Sequence, residues 1–359
     1  MDFRPTAAQQ LLTATARDFL RKHCPPEVVQ RIALDPRGVD DALWRRMADL
    51  GWQGLLVPPE LGGSGGSLLD VVLLVEEIGR AVAPGPFVPS AVVATSLLVS
   101  VASVELRKRL LPSLAAGERI LGVAPLGEGG SIDTKNRLTG RALFVESAHV
   151  TDALIVVLRT PDGCHLWLIP TDRPGLTRRR LDTIGPAPLF EVAFDEIAVT
   201  ADDRLTTVGD EPLSAALHAG AIARTAEMVG AAQRVLELAV EHARTRVQGG
   251  RPIGGYQAIQ HACADLVRDV DASRGLLYAA AWKLSEGLPA APDVAMAKAY
   301  AGEACLTVAR RGHQIFGAIG YCEEHPLHLL HKRIHAASVD GGDAAAHLET
   351  VAQAIGLVR

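Results

Sequence analysis

A chain of 359 residues, 48% hydrophobic and 21% charged, has enough apolar side chain for a large core and two or three subdomains. Its formal charge of −5, without a long basic run, argues against nucleic acid as a main partner. Five scattered cysteines with no C-x-x-C pair read as reduced, buried thiols of a cytoplasmic protein. The N-terminal MDFRPTAAQQ lacks the basic start and apolar core of a signal peptide. Ala91 to Val101, the longest apolar run, is too short to span a bilayer, so no membrane role is expected.

Taken in order, Thr6 to Lys22 reads as a helix, with Thr6 able to cap it and Leu11, Leu12, Ala16, Phe19 and Leu20 forming an apolar stripe. Pro25-Pro26 ends it. Asp40 to Leu50 is a second helix, and GWQGLLVPPELGGSGGS is a turn-rich stretch whose prolines and glycines forbid regular structure. Ser67 to Ala81 follows as a helix with Glu76-Glu77 on its exposed side. Ala91 to Val101 and Val104 to Ala116 complete a helical region ending near Gly117. From about Ile120 the pattern changes to short β-rich runs, Leu138 to Val145, Ala153 to Leu158, His165 to Ile169 and Glu191 to Phe194. Close spacing without helical pattern predicts a small antiparallel barrel or sandwich. From Leu213 the chain returns to helix, in Val229 to Ala243, Ala258 to Leu284 and Ala295 to His313.

Arg246 to His261, RVQGGRPIGGYQAIQH, joins two of these helices. Arg246 and Arg251 are planar, permanently charged donor forks suited to phosphate, and four glycines permit close backbone approach or positive φ. On spacing alone the stretch reads as an interhelical loop with solvated arginines. However, it resembles the acyl-CoA dehydrogenase segment Arg-x-x-Phe-Gly-x-Pro-Ile, a spacer, then Gln-Ala-Ile-Gln-His, with Gly249 at the phenylalanine. Gln314 to Tyr321, QIFGAIGY, resembles the family's Gln-x-x-Gly-Gly-x-Gly-Tyr, with Ala318 for one glycine. The Pro59 to Gly65 stretch resembles its Pro-Glu-x-Gly-Gly-x-Gly loop, and CEEHPLHLLHKR the segment beyond the glutamine motif.

The resemblance covers nearly the whole chain. It implies a mainly α protein with a central β domain: an N-terminal helical domain at 1–117, a β barrel or sandwich at 118–206 and a C-terminal four-helix bundle at 207–359. It also implies FAD as cofactor. Arg246 would reach the pyrophosphate of an FAD bound mainly by a neighbouring subunit, with Gln248 in the same segment. Gln314 and Gly317 would line the adenine end, and Phe144 would supply aromatic bulk beside the isoalloxazine. The implied reaction is α,β-dehydrogenation of an acyl-CoA thioester: a carboxylate in an apolar pocket takes the α-proton while the β-hydrogen leaves as hydride to the flavin.

That carboxylate is hard to place. Counting back from His347 without gaps puts Gly341 on the family's late glutamate, and a one-residue shift puts Asp340 there. Asp340 is thus the candidate base, or else a cap or turn residue between two helices. The family's alternative position, on the preceding helix, falls on Gly220, while Glu227 on that helix reads as a polar residue at a helix boundary or interface. Glu146 stands where the family has a hydroxyl at the flavin's polar edge. His325, His328, His331 and His335 recur at helical spacing but lack a partner that completes a metal site, so no metal is expected.

Three readings follow. The chain is a working FAD-dependent acyl-CoA dehydrogenase with Asp340 as base. Alternatively it is a non-catalytic partner that completes the FAD site of a homologous chain, or a flavin oxidase on the same fold. Its expected partners are an acyl-CoA and either copies of itself or a related chain.

Overall fold

The computed structural model describes residues 4–161, 163–208 and 210–358. Thr6 opens α1 (Ala7–His23) with a capping box, its hydroxyl accepting from Gln9 N while Gln9 Oε1 accepts from Thr6 N. The Pro25-Pro26 pair ends α1 as expected. Pro26 also begins a helix that the sequence did not reveal, α2 (Pro26–Leu34), because a proline at the first helical position loses no intrahelical bond. Asp40 caps α3 (Asp41–Asp49) through Ala42 N and Leu43 N. The turn-rich stretch folds back on itself so closely that a Cβ on Gly63 would lie 2.0 Å from the Val57 carbonyl.

Then come α4 (Leu68–Arg80), a π-helical segment at Phe87–Ala94, α5 (Thr95–Val101) and α6 (Val104–Ala115). The strands are β1 (Leu121–Pro125), β2 (Ser131–Ile132), β3 (Arg137–Glu146), β4 (Ala153–Thr160), β5 (Gly163–Pro170), β6 (Leu176–Leu181), β7 (Leu189–Ala198) and β8 (Arg204–Val208). The chain closes with α7 (Asp210–Thr245), the two-residue strands β9 (Val247–Gln248) and β10 (Arg251–Pro252), α8 (Gln257–Ser285), α9 (Ala291–Phe316), α10 (Leu327–Val339) and α11 (Ala344–Ala354).

These elements form two compact units that do not follow chain order: residues 1–31, 68–83 and 221–359 in the first, 32–67 and 84–220 in the second. In the second unit two four-stranded sheets run β1-β4-β5-β8 and β2-β3-β7-β6. β1 is parallel to β4, with Leu121 opposite Ala153, so the arrangement is not purely antiparallel; neither sheet closes into a barrel among the described residues. β4 is buried on both faces. Ile155 and Val157 join Leu97, Leu98, Leu110 and Leu111 in one core, while Leu154 and Val156 join Leu138, Phe190, Val192 and Phe194 in another. Its unbroken apolar run reflects that double burial.

The first unit is built on the crossing of α4 and α7. A Cβ on Gly230 would lie 1.8 Å from the Glu76 carbonyl, and one on Gly79 2.2 Å from the Glu227 carbonyl. The two glycines therefore let the helices touch backbone to backbone. Glu76 and Glu77 do not face solvent as the sequence suggested. Arg17 of α1 clasps Glu77 with Nε at 3.0 Å and a terminal nitrogen at 2.6 Å, and Arg274 and Tyr278 of α8 donate to Glu76, each at 2.9 Å. Burial and the neighbouring Glu76 charge push the Tyr278 hydroxyl well above its ordinary range. The cysteines also need a correction, since Cys322 is exposed and Cys263 half-buried. No helix among the described residues is long and apolar enough to cross a membrane.

The crossing sets a contrast between two helical glycines. Gly230→Ala should destabilise the chain by about 3 kcal/mol or more, because its methyl meets backbone that cannot rotate away. At Gly275 of α8 a Cβ would meet nothing within 4 Å, so Gly275→Ala should be neutral or stabilise by up to about 1 kcal/mol. Urea unfolding of both variants reads the difference as opposite shifts in midpoint.

Candidate functional site

Asp340, the expected base, follows α10 with extended backbone, and its side chain is 54% exposed. Its Oδ2 accepts from Arg224 Nε at 2.6 Å. Arg224 is buried in α7 and donates a second bond to Glu227 at 2.8 Å; Glu227 in turn accepts from Arg333 of α10 at 3.1 Å, and Arg333 donates to the Ala83 carbonyl. Asp340 is thus the half-exposed end of a chain of buried ions. One of its two carboxylate oxygens is therefore engaged by a buried guanidinium.

The turn beyond Asp340 is tied from several sides. Gly341 and Gly342 both have positive φ, +72° and +100°, a conformation that glycine adopts without steric cost. Lys298 of α9 is 1% exposed, and its Nζ donates to the carbonyls of Ala337, Ser338 and Gly342 at 2.9 Å each. Burial pushes this ammonium down to about 8, opposed by the charge of Asp340. His347 Nε2 lies 2.9 Å from the Gly341 carbonyl, and Asp343 caps α11 through Ala346 N. A Cβ on Gly341 would stand 3.7 Å from Ala221 of α7. Gly341 therefore faces α7 at the residue next in sequence to Gly220.

The expected cofactor contacts lie at the far ends of α7 and α9. Arg246 is exposed just past α7 and makes no ion pair among the described residues. Gly249 and Gly250, with φ of +61° and +79°, turn the hairpin of β9 and β10, which needs positive φ at both central residues. Gln248 is exposed on β9, its carbonyl accepting from Tyr256 Oη at 3.0 Å, and Arg251 lies 4.1 Å over the Tyr256 ring. Gln314 and Gly317 are exposed at the end of α9, and a Cβ on Gly317 would meet nothing within 4 Å.

The two ends are held together by rings: His242 of α7 packs on Phe316 at 4.5 Å, and Phe316 on His325. His313 stacks on Tyr321 and tilts against His331, and burial holds its pKa below the ordinary imidazole value. Hence the histidines packed at the ends of α7, α9 and α10 are ring contacts between helices. Among the described residues no three His, Cys, Asp or Glu side chains come together to hold a metal. Arg246, Gln248, Gln314 and Gly317 are thus grouped at one end of the first unit, and Asp340 lies in a separate, buried network.

Phe144 belongs to the second unit. It is 66% exposed, at φ +58°, beside a register shift of β3 against β7 between Ala142 and Val145. A bulky residue in the left-handed region is strained, and here the strain turns an aromatic ring to the surface. Glu146, two residues on, is half-buried.

The chain thus contains a helical region, a two-sheet β region and a helical bundle that carries an exposed arginine, glutamine and glycine at one end. Residues 6–118 match the family described as acyl-CoA dehydrogenase, N-terminal domain, and residues 211–356 the acyl-CoA dehydrogenase, C-terminal domain. The chain is 32% identical over 341 residues to acyl-CoA dehydrogenase IpdE2 of Mycobacterium tuberculosis, covering 93% of each. It is similar in structure to a chain of the ChsE4-ChsE5 complex of Mycobacterium tuberculosis, with TM-score 0.93, 30% identity and 100% of both chains covered. It is also similar to butyryl-CoA dehydrogenase of Megasphaera elsdenii, with TM-score 0.89, 26% identity, and 99% of this chain and 100% of that one covered. The chain belongs to the acyl-CoA dehydrogenase family: it is an FAD-dependent oxidoreductase acting on acyl-CoA thioesters. Within the first unit, Arg246 offers a guanidinium without a carboxylate partner among the described residues and Gly317 an uncrowded backbone, groups of the kind that a dinucleotide's phosphates and close approach require.

Lys298, Arg224, Arg333 and the role of Glu227 were not found from sequence. Lys298 has one signal, a single charge inside the apolar stretch VAMAKAYAG, and Arg224 and Glu227 share another, two opposite charges three residues apart in GAIARTAEMVG. The buried chain predicts unequal costs. Glu227→Ala should destabilise by about 3–5 kcal/mol, since it removes the buried carboxylate shared by two buried guanidinium groups. Asp340→Ala, at the half-exposed end, should cost about 1 kcal/mol. Denaturant unfolding of the two variants tests the ranking, and equal losses would contradict it.

Proposed function

We propose that this chain performs its family's α,β-dehydrogenation as one subunit of an assembly with a second chain of the family, and that the α-proton is taken by a carboxylate outside positions 220, 340 and 341. The observation that carries this reading is the Asp340–Arg224 pair: the one late carboxylate near the expected register is already bound to a buried arginine. Support also comes from a similar solved structure, itself a complex of two differently named chains, ChsE4 and ChsE5.

FAD, when bound, supplies the acceptor for the β-hydrogen of the acyl group. In the proposed arrangement Arg246 donates to the phosphates, Gln248 extends that contact, and Gln314 and the Gly317 backbone meet the adenine end. Phe144 offers its exposed ring to the isoalloxazine. Arg224 and Lys298 hold the Asp340–Gly342 turn beside the reacting carbons and keep water from them.

A second reading has a specific observation behind it. Asp340 is half exposed and followed by two glycines, so a small rotation of the turn would free it to act as base. Anaerobic mixing with a panel of acyl-CoAs, following flavin bleaching, separates the two. The first reading expects no bleaching by the chain alone, and bleaching with a homologous partner that survives Asp340→Asn. Bleaching by the chain alone that Asp340→Asn abolishes, with flavin still bound, would establish the second.

Either reading needs the cofactor contact at Arg246. Arg246→Ala should weaken FAD binding ten- to a hundredfold, about 1.5–3 kcal/mol, by loss of a charge-assisted bond. Flavin retention at matched salt is the measurement, and retention equal to the parent would remove Arg246 from the site.

A further inference from the structure

The turn after α10 contains two successive glycines in the left-handed region, and such a turn has high conformational entropy unless something outside it supplies order. Lys298 supplies three bonds, two to the end of the preceding helix and one to the turn itself. The carbonyls of Ala337 and Ser338 belong to the last turn of α10, where no amide follows to satisfy them. A cation at that helix end satisfies them and favours the dipole as well. The third bond, to the Gly342 carbonyl, reaches past the turn and closes it. An ammonium has three N–H groups, and all three are used.

We propose that Lys298 is a positioning residue, whose three bonds make the Asp340–Gly342 turn a rigid wall of the acyl-CoA site. The proposal rests on the reading above that this turn lies beside the thioester. The charged and titratable groups around Lys298 are Asp340 and Asp343 from the segment after α10, Arg224 from α7 and His347 from α11. The two carboxylates favour its charge, and Arg224 and burial oppose it.

A neutral amine keeps only two N–H groups, so deprotonation releases one carbonyl and loosens the wall. Burial brings that event down to about pH 8. The sign separates it from alkaline unfolding. Between about 8 and the ordinary lysine value the unfolded chain binds more protons, so this residue makes overall stability rise with pH while the turn loosens.

The test uses the full-length, FAD-loaded chain labelled with 15N-lysine, in assembly with its partner where one co-purifies. One lysine resonance should titrate near pH 8 and be missing in Lys298→Met. Amide exchange over residues 337–343, corrected for the intrinsic rate, should lose about tenfold in protection between pH 7 and 9. In Lys298→Met that protection should be low at both values, with residues 329–334 as protected as in the parent, which shows that the helix remains folded. Lys298→Arg, which keeps its charge, should remove the pH dependence and retain protection at pH 9. Affinity for an acyl-CoA, read from the flavin spectrum, should fall with the protection in the parent and be independent of pH in Lys298→Met. Protection that is flat from pH 7 to 9 in the parent, or unchanged in Lys298→Met, would overturn the clamp. A loosened turn with unchanged acyl-CoA affinity would overturn the wall, whichever base the bleaching experiment identifies.

Discussion

Glu227 is the residue on which the first unit turns. Its carbonyl touches Gly79, fixing how closely α4 and α7 cross, and its carboxylate sits 2% exposed between Arg224 and Arg333. One residue thus sets both the spacing of two helices and the attachment of a third. Buried ions need such mutual satisfaction, because each alone would carry a desolvation penalty of several kcal/mol. The network is therefore a constraint of geometry more than a source of stability. If α10 slid by a turn, Arg333 would lose Glu227 and the Ala83 carbonyl together.

This constraint reaches the chemistry through α7. Arg224 lies one turn beyond Gly220 and bonds the carboxylate just before Gly341. Around Gly341 the backbone is thus bounded by a paired arginine and a buried lysine, not left as a flexible gap.

The order of helices, strands and helices was legible because the hydrophobic period changes twice, and the family motifs stood out because glycines and arginines interrupt strong helix formers. What stayed hidden had local reasons. LGVAP (β1) contains Gly122 and Pro125, which read as breakers, and LTRRRL (β6) is an edge strand whose three arginines mask it. The long helix α7 read as a shorter one because its middle is buried on every side, which erases the amphipathic stripe. α2 was concealed by the proline pair that also begins it. Motif position named Arg246, Gln314 and Phe144 as candidates. It did not name Lys298, since a lone charge in an apolar helix does not reveal whether it faces solvent or three carbonyls.

The two ends of the first unit differ in a way that bears on assembly. At the α10 turn nearly every polar group is satisfied inside the unit: Arg224 by two carboxylates, Lys298 by three carbonyls, Gly341 by His347. At the ends of α7 and α9, Arg246, Gln248 and Gln314 point outward, and Val247, Ile319 and Tyr321 are exposed apolar or aromatic neighbours. Exposed donors interleaved with exposed apolar side chains are the composition of a surface that meets something else. The His242–Phe316–His325 contacts hold that surface against the bundle. The same bundle thus keeps a closed, internally satisfied turn at one end and an open surface of donors and apolar side chains at the other.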